Sequence, residues 1–286
     1  MIMFPFSDQV VVGIDDSPTN GVVLDHAAAI ADRRRLPLRI IHAYQWPPVS
    51  YPVMGIASPI DDPRQRASWI LEQAVDRVRD RYPDLTVSGK LTERPAAQML
   101  IDSSRHAVVT VVGGHGRGVL SGLVTGSVGL SLITHAHGPV MIVRSDGYRP
   151  EQLDSKPVVV GVGDEVHDAA AVRFAADEAA LRGVELILVH SAKLPQPVPA
   201  VPTSGPASRS AALVKERWPE LEVRPQEVSD DNPRHALAVA AQGAGLLVMG
   251  ARGHGRMRGL WSGAVGQTLS REIDCPIVVV REETSR

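Results

Sequence analysis

The second half of this chain of 286 residues repeats the first half, and that repeat limits what the chain can fold into. The segment 10–16 reads VVVGIDD, and the segment 158–164 reads VVVGVGD. The triplet IIH at 40–42 returns as LVH at 188–190. Both pairs are 148 positions apart, so the two halves open with the same structural unit.

Two later pairs show where the copies differ in length. VGGHG at 112–116 matches MGARG at 249–253, and GPVMIVR at 138–144 matches CPIVVVR at 275–281. These pairs are 137 positions apart, so the second copy is shorter by 11 residues in its middle.

The repeat predicts two tandem domains, at residues 1–147 and 156–286. Independent domains commonly have about 100–150 residues, and each half has such a length. The connection between them, at 145–156, is rich in Asp, Gly, Pro and Ser, which is typical of a linker.

Within each copy, short apolar segments alternate with longer helical patterns. In the first copy we predict strands at 10–14, 38–42, 86–91, 108–112 and 140–144, and helices at 22–34, 65–81, 96–104 and 128–134. Such alternation, with mainly apolar strands, indicates a parallel sheet covered by helices on both faces. The sequence therefore predicts an α/β fold of two tandem doubly wound domains, each a five-stranded parallel sheet flanked by helices.

Several polar segments are interpreted as helix ends rather than as sites of chemistry. The dipeptide Ser-Pro at 17–18 and the tripeptide Asp-Asp-Pro at 61–63 are typical of helix starts. A Ser or Asp side chain can accept from a free backbone N–H group, and proline fits the first helical position. The run of three arginines at 33–35 is interpreted as a solvated helix end whose charge offsets the helix dipole.

Charge and hydropathy argue against nucleic-acid and membrane partners. The net charge is -2 at pH 7, so no basic surface for nucleic acid is predicted. The longest apolar runs, such as 140–143, are too short to span a bilayer, and the first residues show no signal peptide. One cysteine, Cys275, excludes a disulfide within the chain; it is interpreted as a core residue, with a reactive thiol as the alternative. We expect a soluble, cytoplasmic protein.

Four histidines are candidates for chemistry. His42 and His190 end equivalent strands, where a structural role competes with a catalytic one, and we favour the structural role. His135 and His137 are close in sequence, but no cysteine or carboxylate accompanies them, so no metal site is predicted there.

A glycine loop after the fourth strand is the segment best suited to bind a ligand. In parallel sheets ligands bind beyond the carboxyl ends of the strands. The loop has the spacing G-x2-G-x9-G-S, formed by Gly113, Gly116, Gly126 and Ser127. Its backbone amides, together with the helix that follows, can approach phosphate oxygens; the alternative is a loop that only makes tight turns. It is neither a Walker A loop nor a dinucleotide fingerprint, because it has no Gly-Lys-Ser/Thr and follows the fourth strand.

This loop resembles the signature of the universal stress protein family, whose ATP-binding members carry G-x2-G-x9-G-S/T after the fourth strand. The strand that ends at Asp15, the strand that ends at His42 and the Gly138-Pro139 entry to the last strand agree with that family as well. The resemblance covers nearly the whole chain and is closest to the tandem, actinobacterial type. It implies an adenine-nucleotide alpha hydrolase-like fold in each domain.

The resemblance also implies roles for individual residues. Asp15 is expected to contact the ribose or the adenosine end of ATP, and the backbone at Gly13 and Ala43 to line the adenine pocket. The phosphates are expected to be surrounded by Gly113, His115, Gly116, Arg117, Gly126, Ser127 and Val128. Family sites often hold a divalent cation such as Mg²⁺ on the phosphates, but no carboxylate cluster here specifies one.

The second copy keeps the loop spacing but departs from the pattern. Its candidate binding residues are Gly250, Gly253, Gly263, Ala264 and Val265. Ala264 replaces the hydroxyl of Ser127, and Gly163 replaces the carboxylate of Asp15. We therefore expect weaker nucleotide binding in the second domain, or none.

The leading functional hypothesis is an ATP-binding regulator of a stress response rather than a rapid enzyme, because no positioned nucleophile or general base is apparent. Slow ATP hydrolysis, a nucleotide-transfer activity and a nucleotide-independent interaction scaffold are the alternatives. The resemblance further implies that the last strands of the two domains pair. We also expect a homodimer and an unidentified protein partner.

Overall fold

The computed structural model describes residues 8–17, 20–45, 62–114, 127–144, 148–163, 169–192, 205–230, 232–251 and 273–281.

The strands of the first half lie close to the predicted segments. The strands of the first half are β1 (Gln9–Ile14), β2 (Leu38–Ala43), β3 (Val87–Thr92), β4 (Ala107–Gly113) and β5 (Val140–Val143). Its helices are α1 (Asn20–Arg34), α2 (Pro63–Arg81), α3 (Ala96–Ser103) and α4 (Ser127–His135).

The second half repeats this order. Its strands are β6 (Val158–Gly161), β7 (Leu186–Ala192), β8 (Val223–Ser229), β9 (Leu246–Gly250) and β10 (Ile277–Val280). Its described helices are α6 (Ala169–Arg182), α7 (Pro206–Arg217) and α8 (Pro233–Ala240). A short helix, α5 (Pro150–Leu153), lies within the predicted linker, where Leu153 is fully buried.

The ten strands form one continuous sheet in the order β3-β2-β1-β4-β5-β10-β9-β6-β7-β8. All pairs within each half are parallel, and β5 pairs with β10 in an antiparallel sense. Met141 lies opposite Val278 in that pair. The prediction that the two last strands join the domains is therefore confirmed, and with it the α/β fold of two doubly wound domains. Pairing covers one of the two edge strands that each domain alone would expose, and β3 and β8 stay at the ends of the sheet.

Helices cover both faces of the sheet. On one face α1, α2, α6 and α7 bury a core that runs across both halves. On the other face α3, α4 and α8 bury a second core, which also includes Cys275. None of the described helices is long and apolar enough to cross a membrane.

The helix-end predictions have mixed outcomes. Asp62 does begin α2, where its side chain accepts from the N–H of Arg64 at 2.9 Å and Pro63 is the first helical residue. Pro18 lies outside the described residues, and α1 begins at Asn20. The interpretation of the arginines at 33–35 as solvated is wrong for the first two, because both are largely buried between the domains.

Those two arginines meet a buried carboxylate from the other domain. Arg34 donates from Nε and Nη2 to Glu178 Oε1 at 2.9 and 2.6 Å, and Arg182 donates to Oε2 at 3.0 Å. Arg33 bridges to Asp154 at 2.6 Å. Burial by itself would raise the pKa of Glu178, but the charges of Arg34 and Arg182 hold it at about 2. We call Arg33, Arg34, Asp154, Glu178 and Arg182 the interdomain ion cluster.

Candidate functional site

Three of the predicted site residues lie together at the carboxyl edge of neighbouring strands. In the parallel ladders Ile14 is opposite His42 and Val12 is opposite Val111. Asp15, Ala43 and Gly113 therefore lie at or just beyond the ends of β1, β2 and β4, three strands that are adjacent in the sheet. This is the edge at which doubly wound proteins bind their ligands.

The N-terminus of α4 lies at the same edge. Helix α4 starts at Ser127 and ends at His135, and only four residues separate it from β5, which starts at the opposite edge. Ser127 is exposed and Val128 is half-buried against the second core. The N–H of Gly114 donates to Val143 O at 2.7 Å, so the chain leaves β4 close to β5. Free N–H groups at such a helix start favour an anion.

The remaining predicted loop residues of the first domain lie outside the described residues. They are His115, Gly116, Arg117 and Gly126. Their roles stay predictions that rest on the sequence.

Gly13 packs closely against α3 and β4. A Cβ atom there would lie 2.7 Å from Cδ1 of Leu100 and 3.3 Å from Cγ1 of Val112. At the equivalent Gly161, a Cβ atom would lie 3.1 Å from Cδ1 of Leu237. The glycine therefore lets α3 approach β1, and the predicted contact of its backbone with adenine stays a separate prediction.

Asp15 is held by its neighbours, a feature that the sequence analysis missed. Its Oδ1 accepts from the N–H of Ser17 at 2.9 Å. Its own N–H donates to Oδ1 of Asn20 at 3.2 Å, and Nδ2 of Asn20 donates back to the carbonyl oxygen of Asp15. The only signal in the sequence is an amide side chain five positions after the carboxylate, which by itself also fits a helix start.

Tyr44 and Glu93 form a second pair at this edge that was not predicted. Tyr44 directly follows β2, is buried, and donates from its hydroxyl to Oε1 of Glu93, just beyond β3. That hydrogen bond to a carboxylate raises the pKa of Tyr44. The equivalent position in the second domain is Ala192, so the pair belongs to the first domain alone.

The structure supports a structural role for the two strand-end histidines. Nδ1 of His42 lies 2.9 Å from Ile14 O, and Nδ1 of His190 lies 2.8 Å from Val162 O. These contacts are related by the repeat, and each ties β2 or β7 to the end of the central strand beside it. Identical geometry in both domains indicates a fixed part of the fold.

No metal site is apparent within the part of the chain that the structure describes, since no group of three or more His, Cys, Asp or Glu side chains is close enough to hold an ion. His135 points Nδ1 at Ser131 O at 3.0 Å. Burial, followed by the charges of Arg105 and Arg281, lowers the pKa of His137.

The second domain presents a similar edge with fewer polar groups. Gly250 ends β9 opposite Val280, and the N–H of Ala251 donates to Val280 O at 2.7 Å, as Gly114 does to Val143 in the first domain. Gly163 occupies the position equivalent to Asp15. The predicted residues Gly253, Gly263, Ala264 and Val265 lie outside the described residues.

The strand order and the helices on both faces of the sheet define a tandem doubly wound α/β protein. The chain belongs to the Universal stress protein family, whose model matches residues 7–144 and 155–281. It is 31% identical over 287 residues to universal stress protein Rv2623 of Mycobacterium tuberculosis, covering 96% of each chain. It is similar at the same identity to universal stress protein Rv2005c of that organism, covering 96% of this chain and 97% of the relative.

Solved structures show the same fold. A universal stress protein from Archaeoglobus fulgidus superposes with a TM-score of 0.71 at 16% identity, and the match covers 98% of this chain and 99% of that one. The predicted fold and the family resemblance are thus both confirmed.

Proposed function

We propose that this protein binds ATP at the carboxyl edge of its first domain and acts as a nucleotide-dependent regulator in a stress response. The observation that carries the proposal is the convergence of Asp15, Ala43 and Gly113 on one edge, beside the N-terminus of α4. This edge offers a carboxylate for ribose hydroxyls, strand-end backbone for the base, and N–H groups for phosphates.

The phosphates would meet the N-terminus of α4 and the glycine loop that precedes it. Ser127 would add a hydroxyl, and Gly116 and Arg117 would add backbone and charge. Mg²⁺, where it is present, would enter as the counter-ion of the phosphates, because the described residues contribute no cluster of ligands of their own.

The second domain is proposed to bind nucleotide weakly or not at all, since Gly163 and Ala264 replace the carboxylate and the hydroxyl. These two replacements favour a second candidate function, in which the second domain serves as a nucleotide-independent interaction scaffold. A homodimer of whole chains is still expected; it would use a surface other than β5 and β10, because those two strands pair with each other. A cytoplasmic location also stays part of the proposal.

The proposal is tested by purifying the protein without added nucleotide, denaturing it, and identifying what is released by chromatography and mass spectrometry. We expect about one ATP for each chain, and titration calorimetry should give the same stoichiometry. Gly116→Ala should lower the affinity for ATP about tenfold or more, because a Cβ would crowd the phosphates. Gly253→Ala, at the equivalent position of the second domain, is the matched control and should change it little. A protein that carries no nucleotide and shows no ATP binding on titration would overturn the proposal and favour the scaffold.

A further inference from the structure

The backbone of Asp15 lies just past the regular sheet and depends on a side chain for its hydrogen bonds. The ladder between β1 and β2 ends at Ile14, one residue before Asp15. Asn20, the first residue of α1, accepts from the N–H of Asp15 and donates to its carbonyl oxygen. Both hydrogen-bonding groups of this one residue are therefore satisfied by a single amide side chain.

The carboxylate itself makes a separate contact with the backbone. Oδ1 of Asp15 accepts from the N–H of Ser17 at 2.9 Å. Within the described residues Oδ2 has no hydrogen-bond donor, and Asp15 is half-buried rather than fully exposed. One oxygen is thus fixed by the protein, and the other is left for a hydroxyl of a ligand.

We propose that Asn20 is a positioning residue that holds Asp15 in the orientation needed to recognise the ribose hydroxyls of a bound ribonucleotide. This rests on the proposed function of the first domain, and it adds a specificity for ribonucleotides over deoxyribonucleotides. A carboxylate that is held in place before binding loses less conformational entropy when it accepts the hydroxyl, so discrimination is stronger.

The second domain supplies an internal comparison. Gly163 stands at the position of Asp15, and Asp168 stands at the position of Asn20. A carboxylate at the second position could accept from a backbone N–H but could not donate to a carbonyl oxygen. Both members of the pair are therefore replaced in the domain that we expect to bind nucleotide poorly.

The test is the affinity of the full chain for ATP, 2′-deoxy-ATP and 3′-deoxy-ATP, measured by calorimetry. The three ligands share base and phosphates, so the ratio of their affinities reports on ribose recognition alone. We expect the wild type to bind ATP about tenfold more tightly than at least one deoxy analogue, as a hydrogen bond to a charged group can provide. Asn20→Ala and Asn20→Asp should bring that ratio most of the way to one. Loss of folded protein would lower all three affinities alike and leave the ratio unchanged.

Asn232→Ala is the control. Asn232 caps the start of α8, where its side chain accepts from the backbone N–H of Arg234 at 3.3 Å, but it lies in the second domain. This variant should leave the ratio at its wild-type value. If the wild type discriminates and both Asn20 variants discriminate equally well, the positioning role is overturned while ATP binding stands. If the wild type binds all three ligands equally, ribose recognition by Asp15 is overturned as well. If it binds none, the proposed function itself fails.

Discussion

Replacing Glu178 by Gln tests whether the interdomain ion cluster stabilises the fold through charge. The carboxylate is fully buried between Arg34 and Arg182. Its pKa is about 2 in the folded protein and 4.5 ordinarily. Because a tenfold change in an equilibrium is worth about 1.4 kcal/mol, ionised Glu178 contributes about 3 kcal/mol to the free energy of unfolding at neutral pH. We expect Glu178→Gln to lose about that amount, since two arginines are left facing a neutral amide.

The pH dependence follows from the direction of the pKa. A carboxylate whose pKa is lowered by folding stabilises the protein fully above its ordinary pKa of 4.5, and the contribution disappears as the pH falls through about 2. The difference between wild type and variant should therefore shrink to about 1 kcal/mol at pH 3. Equilibrium urea unfolding, followed by circular dichroism at both pH values, gives the two differences.

Glu151→Gln is the matched control, because it removes one carboxylate from a partly exposed pair with Arg81. Exposed pairs contribute about 0–1 kcal/mol, so this variant should unfold near the wild-type midpoint. A loss at Glu178→Gln of less than about 1 kcal/mol, equal at neutral pH and at pH 3, would refute the reasoning and show that desolvation cancels the attraction.

Three further outcomes follow from the repeat and from burial. Burial lowers the pKa of His26 from 6.5 to about 4, so folding opposes its protonation. Urea unfolding should therefore show about 2 kcal/mol less stability at pH 5 than at pH 7. His26→Phe, which introduces the residue type found at the equivalent position, Phe174, should abolish most of that difference. Arg35 directly follows α1 with a φ of 53°, and Gly183 directly follows α6 with a φ of 66°. Arg35→Gly should therefore raise the free energy of unfolding by about 1 kcal/mol, seen as a higher melting temperature. Burial raises the pKa of Cys275 to about 12. The thiol of the native protein should therefore resist Ellman's reagent at pH 8 and should react once urea unfolds the chain. Rapid reaction of the native protein would contradict the burial of Cys275.

The strands and the family were predictable because the signals for them are local. The run 108–112 consists of β-branched residues and therefore favours a buried strand, and β4 extends it by one residue at each end. The glycine spacing after that strand led to the family, which the comparisons confirm. The repeat offset then located the second domain without any further pattern.

The candidate site was predictable only in outline. Asp15, Ala43 and Gly113 could be assigned to one edge because parallel strands share their carboxyl ends. Asn20 and Tyr44 could not be found, because each acts through a partner whose approach depends on how the chain folds back after a strand. The burial of Arg33 and Arg34 could not be predicted for the same reason, since their carboxylate partner, Glu178, is 144 positions away from Arg34.

The sequence by itself determined that two copies of one α/β unit are present, where their strands and glycine loops lie, and which copy lacks the carboxylate. These properties depend on the order of residues within about twenty positions, where local periodicity and backbone preference dominate. The tertiary structure decided which charges became buried between the domains and which amide holds Asp15. Those outcomes depend on desolvation and on distances between atoms far apart in the chain, which exist only once the ten strands have joined in one sheet.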